Sequence, residues 1–557
     1  MRRDTARLRD TAFDILIVGA GMHGAWIARR AAEAGHRVAL VERDDFAAAT
    51  SANSLNILHG GLRYLQHFDL ARMRSSIRAR REFSRQSPHL VQALPCVMPL
   101  GPMGVRSPWI LGPALLLNDL FSADRNAGVA GPARLPNGRL IGSADCREQV
   151  APLADTGAGS GALWWDALSL DSARLCLETV LAAADSGAVV ANRVEVLRLL
   201  LSGGAIQGIA ACDRLSGVEF EIRAAVVIDA TGPASGRLAA ASDLPAPYLP
   251  RSWLGALNLV FRSALPLKAA VALSSASKTA DRSVLLRRAT RDLFFVPWHG
   301  AIAVGTDYVP LDSPAAGSTG PPAGVVQAFI AEIGRVAPKS RLRAADLVAV
   351  NWGILPGIGT GAATPSKSPI LASGRLETGA DGLVVVVGEK LTSAPSLSQA
   401  VLARAEQAGN LRRSSGRQAL AQARALRPTS SDEARGFGLE AEPRKRLEKR
   451  YGLRWRQIFE PYLSQGELFR PVLAGSEVLA VEVVHAVREE MALDLDDLLL
   501  RRLGLARTGW PSVDLARRCA GIAGPELGWS ADAQAAAIAA FEAKMAAGDF
   551  VPDPVRL

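Results

Sequence analysis

Gly19, Gly21 and Gly24 stand in G-x-G-x-x-G spacing directly after the apolar run 13–18. That spacing suits a pyrophosphate. The first glycine permits a tight turn, the second lets the backbone approach the phosphates, and the third lets a helix pack on its strand. The N-terminus of the following helix offers N–H groups and partial positive charge to the same phosphates. Glu42 ends the next strand, 37–41, where a carboxylate can accept the ribose hydroxyls of an adenosine. Two later segments narrow the dinucleotide to FAD. Residues 226–233 read as a buried strand ending in Ala230-Thr231-Gly232, which returns the chain to the nucleotide. At Gly388-Glu389-Lys390-Leu391-Thr392 another strand opens into a helix whose N-terminus could face a pyrimidine carbonyl and stabilise a reduced, anionic flavin. Only one G-x-G-x-x-G is present, so no separate nicotinamide site is expected. Electrons must then leave for quinone, oxygen or a protein.

These residues need a particular frame. The expected fold is α/β, with a Rossmann-like FAD-binding domain, an inserted mixed β-sheet cap domain and a C-terminal all-helical domain. The first domain is expected over 1–244 and 346–405, the cap over 245–345, a linker over 406–431 and the helical domain over 432–557. Residues 100–160, rich in Gly, Pro and Ala, read as loop-dominated. Residues 163–200 read as a strand or loop, a helix from about 171 to 186, then a strand. Residues 218–232 read as strand, turn and strand. Ala480, Val484, Val487, Met491, Leu495 and Leu498 mark one apolar helix face.

The chain has 557 residues, 49% of them hydrophobic and 21% charged, too long for one core. No apolar run reaches the ~20 residues of a membrane-spanning helix. The basic N-terminus lacks the apolar core of a signal peptide. A cytoplasmic protein is expected, with peripheral contact to the inner face of the cell membrane left open. The five cysteines are scattered without a C-x-x-C pair, which argues against a disulfide framework or a metal site. The net charge of +10, mostly arginine, suits an anionic substrate or lipid surface, or reflects composition alone. Nucleic acid is not an expected partner, because no aromatic or groove-reading element accompanies the basic patches.

The stretch from Ala49-Thr50-Ser51 through Asn56-Ile57-Leu58-His59-Gly60-Gly61-Leu62-Arg63-Tyr64-Leu65 resembles the FAD-dependent glycerol-3-phosphate dehydrogenases. Further matches are Trp165-Asp166 with Asp171-Ser172-Ala173-Arg174-Leu175, then Phe295-Val296-Pro297-Trp298 with Gly305-Thr306-Asp307, and the helical run 480–502. The resemblance implies hydride transfer from the C2 alcohol of sn-glycerol 3-phosphate to flavin N5. It implies dihydroxyacetone phosphate as product, a membrane quinone as acceptor and a peripheral membrane habit. A homodimer is left open. The implied cofactor-binding set is Gly19, Gly21, Gly24, Glu42, Arg43, Thr50, Ser51, Ser54, His59, Gly61, Val194, Thr231, Gly232, Gly388, Lys390, Leu391 and Thr392. No metal is implied.

Catalytic roles are expected at Arg63, Lys390, Tyr64 and His59. Arg63 and Lys390 either polarise a substrate oxygen or anchor an anionic group, or else position the flavin. Tyr64 either bonds substrate or packs on the flavin. His59 serves as an acid–base or packs behind the isoalloxazine. His23 is expected at the pyrophosphate, and His299 is a loop histidine that could replace a missing base. Arg74, Arg78, Arg81 and Arg85 recur at helical spacing and either face anionic lipid or form a solvated face with local ion pairs. The chain departs from the family at the substrate end. The family's phosphate-binding arginine aligns with Leu355, its alcohol-facing histidine with Leu257, and Glu389 and Ala394 replace a glycine and a tyrosine. A different secondary alcohol or amine as substrate, or a flavin-binding protein without turnover, are the alternatives.

Overall fold

The first strand, β1 (Ala12–Val18), is buried without a break from Ile15 to Val18. Ile15 and Ile17 face one core, and Phe13, Leu16 and Val18 face another. A strand apolar on both sides belongs inside a sheet covered on both faces. The computed structural model describes residues 1–62, 69–104, 106–155, 157, 159–278, 290–315, 320–359, 363–413, 439 and 441–546. In it, β1 sits centrally in a sheet with β2 (Val38–Val41), β7 (Val189–Ala191), β10 (Glu219–Asp229), β16 (Ile370–Ser373) and β17 (Leu383–Val387). The order is β16-β17-β10-β1-β2-β7, parallel except for β16. Helices Met22–Glu33, Ser172–Asp185 and Ala394–Ala408 cover one face. A hairpin of β8 (Val194–Ser202) and β9 (Ala205–Asp213), extended from β10, covers the other.

The second sheet is mixed. It comprises β3 (Ile57–Leu58), β4 (Val91–Leu100), β5 (Arg139–Gly142), β6 (Ser160–Ser169), β11 (Trp253–Arg262), β12 (Ala270–Lys278), β13 (Thr290–Trp298), β14 (Ala301–Leu311) and β15 (Leu347–Pro356). Its main order is β15-β11-β14-β13-β12-β4-β6-β3. The cap is therefore not confined to 245–345. The parallel pair β4–β12 joins the antiparallel set β3–β6, far upstream, to β11–β15, and β15 extends past 345. Residues 100–160 are not loop-dominated, since they hold helices Pro108–Phe121 and Ser143–Val150 and the strand Arg139–Gly142. The strand–turn–strand reading of 218–232 also gives way, because β10 runs unbroken from Glu219 to Asp229.

The C-terminal part is helical, with helices Ala441–Tyr451, Ala480–Glu490, Val513–Leu527 and Ala531–Ala546. The expected single apolar face over 480–498 is broken. Met491 adopts φ 54 and ends its helix, and the chain restarts in a π-helical turn, Asp497–Arg502. Most of the expected linker, 414–431, lies outside the described residues.

Candidate active site

The glycine turn follows β1. Gly19 has φ +99, and a Cβ there would stand 2.8 Å from the Ala230 carbonyl oxygen. A Cβ on Gly24 would lie 1.9 Å from Gly19 O, so only glycine lets the helix come this close to the turn. Glu42 ends β2 with its carboxylate buried under the turn. It accepts from Ala20 N at 2.7 Å and Asp44 N at 3.0 Å, and burial pushes its pKa up. Ser51 Oγ accepts from Met22 N at 2.9 Å at the start of helix Met22–Glu33. Thr50 Oγ1 accepts from Ile354 N at 3.1 Å and ties this loop to the cap strand β15. Val194 N donates to Glu42 O at 2.8 Å and brings the start of β8 to the same end.

Gly19, Gly21, Glu42, Thr50, Ser51 and Val194 border one cavity of about 1200 Å³ between the two sheets. Arg43, Ser54, His59, Gly61, Thr231, Gly232, Gly388, Lys390, Leu391 and Thr392 also line it. Gly24 supports the turn from behind rather than lining the cavity. Arg63 and Tyr64 lie outside the described residues. Gly388 leaves room for His23, since a Cβ there would meet that ring at 2.0 Å. His23 Nε2 lies 3.1 Å from Ser393 Oγ, and burial lowers its pKa to about 4. A tight glycine turn, a buried carboxylate at the end of β2 and a long cavity running from them to the Gly388–Thr392 turn fit FAD.

The far end of the cavity carries polar chemistry. His59 is half-exposed, and its Nδ1 lies 3.0 Å from Asp166 Oδ2. Asp166 is buried on β6 and also accepts from Gly60 N and Arg80 Nη1, both at 2.7 Å, and from Trp164 Nε1 at 3.2 Å. Burial alone would raise the Asp166 carboxyl, but His59, Arg80 and Gly60 N hold it well below the usual range. An ionised carboxylate only accepts, so Nδ1 of His59 donates to it, and in the neutral tautomer this bond selects the lone pair lies on Nε2. The ring leans edge-on to Phe294 at 5.6 Å.

Several cations approach the cavity from separate elements, Lys367 among them. Arg72, on helix Leu70–Gln86, lies 3.4 Å from Asp69 and 3.4 Å from Ser368 Oγ, the neighbour of Lys367. Lys390 Nζ lies 3.4 Å from Ser76 Oγ, one turn along that helix from Arg72, and 3.9 Å from Glu389. Arg291 also lines the cavity but is committed to Asp307 and Glu332. Leu355 lines the cavity. Leu257 does not. It is fully buried in the cap core, and β11 presents Ala256 and Asn258 to the cavity instead. Asn258 Oδ1 accepts from Thr306 Oγ1 at 2.7 Å.

His299 is removed from the list of replacement bases. It sits in the β13–β14 turn away from the cavity, bonded to Leu170 O at 2.7 Å. Burial, then Arg507, lowers its pKa to about 4. The arginine row on Leu70–Gln86 is also not a uniform face. Arg74 and Arg81 converge on Asp124 at 2.7 and 2.5 Å, leaving Arg78 and Arg85 exposed. Residue-by-residue reading missed Asp166, Arg80, Asn258 and Arg72 as site residues. Asp166 stood within a motif and Arg72 lies two residues before the arginine row, but nothing local to Arg80 or Asn258 marks them.

A doubly wound sheet with this cradle, closed by a mixed sheet that carries a histidine–carboxylate pair, defines a flavin-dependent oxidoreductase. The chain belongs to the FAD dependent oxidoreductase family, whose model matches residues 14–404. A second model, described as the C-terminal domain of alpha-glycerophosphate oxidase, matches residues 412–534. The chain is 29% identical over 528 residues to a glycerol-3-phosphate dehydrogenase of Synechocystis sp., covering 90% of this chain and 91% of that protein. It is 28% identical over 565 residues to glycerol-3-phosphate dehydrogenase 2 of Mycobacterium tuberculosis, covering 94% and 86%. In fold it matches the glycerol-3-phosphate dehydrogenase of Bacillus halodurans complexed with FAD, with a TM-score of 0.70 at 19% identity over 99% of this chain and 97% of that one.

Proposed function

We propose that this protein oxidises the C2 hydroxyl of sn-glycerol 3-phosphate to the ketone of dihydroxyacetone phosphate. The observation that carries this reading is that the His59–Asp166 pair and the cations Arg72, Lys367 and Lys390 all line the FAD cavity. The substrate joins a secondary alcohol to a dianion. His59 Nε2 takes the hydroxyl proton while the C2 hydrogen leaves with its electron pair and the C–O bond becomes a carbonyl. FAD, when bound, supplies the two-electron acceptor. Ionised Asp166 steadies the histidine as it gains charge. Arg72 and Lys367 hold the phosphate in place of the arginine that Leu355 replaces, and Lys390 orients the alcohol. The names of the relatives support the same substrate. The test is anaerobic addition of glycerol 3-phosphate to purified protein. Bleaching of the visible flavin absorption is expected. Persistent colour, with bleaching by another alcohol or amine, would replace the substrate.

A lipid-dissolved quinone is the electron acceptor in this reading, and helix Pro108–Phe121 supports it. Ile110, Leu111, Pro113, Ala114 and Leu117 line the cavity. The same helix exposes Trp109 (85%), Leu116 (71%) and Leu120 (70%). Such a helix suits the boundary of a bilayer. Among the described residues no helix is long and apolar enough to cross one.

A further inference from the structure

The loop after Glu42 is gripped from outside the FAD-binding fold. Asp45 lies in it, almost fully buried at the cavity wall. Its two oxygens accept from Arg501 Nε at 2.6 Å and from Arg502 Nη1 and Nη2 at 2.7 Å each. Both arginines lie on the π-helical turn Asp497–Arg502 of the C-terminal domain. Arg193 flanks the same end of the cavity, and its Nη2 reaches Asp494 at 2.5 Å and Asp497 at 2.7 Å. Arg501 Nη2 donates to Asp497 at 2.5 Å and closes the lattice. Asp45, Asp494 and Asp497 are thus joined through Arg193, Arg501 and Arg502. Burial alone would raise the Asp45 carboxyl, but Arg502 and Arg501 hold it low. Backbone bonds carry the grip onward, since Arg193 N donates to Asp44 O at 3.1 Å and Val194 N to Glu42 O at 2.8 Å.

We infer that the C-terminal helical domain positions the cofactor site, with Arg501 and Arg502 acting through Asp45 to hold the Glu42 loop in its adenosine-binding conformation. Buried guanidinium–carboxylate forks fix geometry, and removing one partner leaves the other charge under-paired. The loop then relaxes, and FAD must reorder it on binding. Docking of the domain and binding of FAD are therefore coupled, and the coupling is reciprocal. The inference rests on the FAD assignment and not on the proposed substrate.

The test is FAD titration of flavin-free protein, with melting temperatures recorded with and without FAD. It uses wild type, Arg502→Met, Arg502→Lys and the exposed control Arg488→Met. Arg502→Met is expected to raise the FAD dissociation constant more than threefold and to shrink the FAD-induced rise in melting temperature. Arg502→Lys should recover part of both, and Arg488→Met should change neither. A dissociation constant within threefold of wild type, with melting lowered equally in both states, would overturn the inference. If Arg502→Met does not fold, hydrogen exchange of the wild type decides. FAD should slow exchange at amides 497–502, and unchanged protection there would overturn the coupling.

Discussion

His59 Nδ1 lies 3.0 Å from Asp166 Oδ2, while the other oxygen of that carboxylate lies 2.7 Å from Arg80 Nη1. The histidine is thereby fixed in one tautomer by a group that is itself fixed by a buried arginine. Replacing His59 removes the acceptor but leaves the cradle around Gly19 and Glu42 untouched. His59→Gln should retain FAD and slow flavin reduction by about 10²- to 10⁴-fold, the usual contribution of a positioned base. Stopped-flow reduction by glycerol 3-phosphate measures this.

Arg72 and Lys367 come from a helix and a loop that meet at Ser368. Arg72→Leu should raise KM for glycerol 3-phosphate by at least tenfold, and the same change with Lys367→Ala should raise it further. A charge-assisted phosphate contact of this kind carries roughly 2–5 kcal/mol. Glycerol, which lacks the phosphate, should reduce both variants and wild type equally slowly. Steady-state kinetics with the two alcohols separates anion binding from chemistry.

Trp109, Leu116 and Leu120 stand on the outer face of a helix whose inner face walls the cavity. The triple change Trp109→Ser, Leu116→Ser, Leu120→Ser should abolish co-sedimentation with phospholipid vesicles. Anaerobic flavin reduction should stay near wild type, and turnover with a membrane quinone should fall at least tenfold.

Stability should weaken in mild acid. Burial holds His23, and burial with Arg507 holds His299, at about 4, against 6.5 in the unfolded chain. Between these values the unfolded state binds more protons, so stability falls as pH drops from about 6.5 to about 4. Each histidine contributes roughly 3 kcal/mol across that window. Thermal melting of FAD-free protein against pH should show the fall, and His299→Gln should make it shallower.

The cradle was legible in the sequence because its demands are local. A glycine whose Cβ would strike Gly19 O and a carboxylate at the end of β2 leave fixed spacings. The cap was harder to read, because its sheet joins β4 to β12 across some 170 residues and no periodicity records that pairing. Leu257 shows the sharper limit. Side chains alternate along β11, so Ala256 and Asn258 meet the cavity while Leu257 between them turns into the core, and a shift of one residue decides which side chain is which. For Arg74 and Arg81 the sequence left lipid contact and local ion pairs both open, and Asp124, distant in the chain, takes both side chains.

Asp45 and Arg502 are 457 positions apart in the chain. At ribosomal speeds of about 5–20 residues per second, the nucleotide loop emerges roughly 20–90 s before the guanidinium that pins it. Throughout that interval the nascent chain carries a Glu42 loop without its clamp. If Arg501 and Arg502 hold the Glu42 loop as inferred, a nascent chain carries its complete glycine turn long before the loop beside it is held in place.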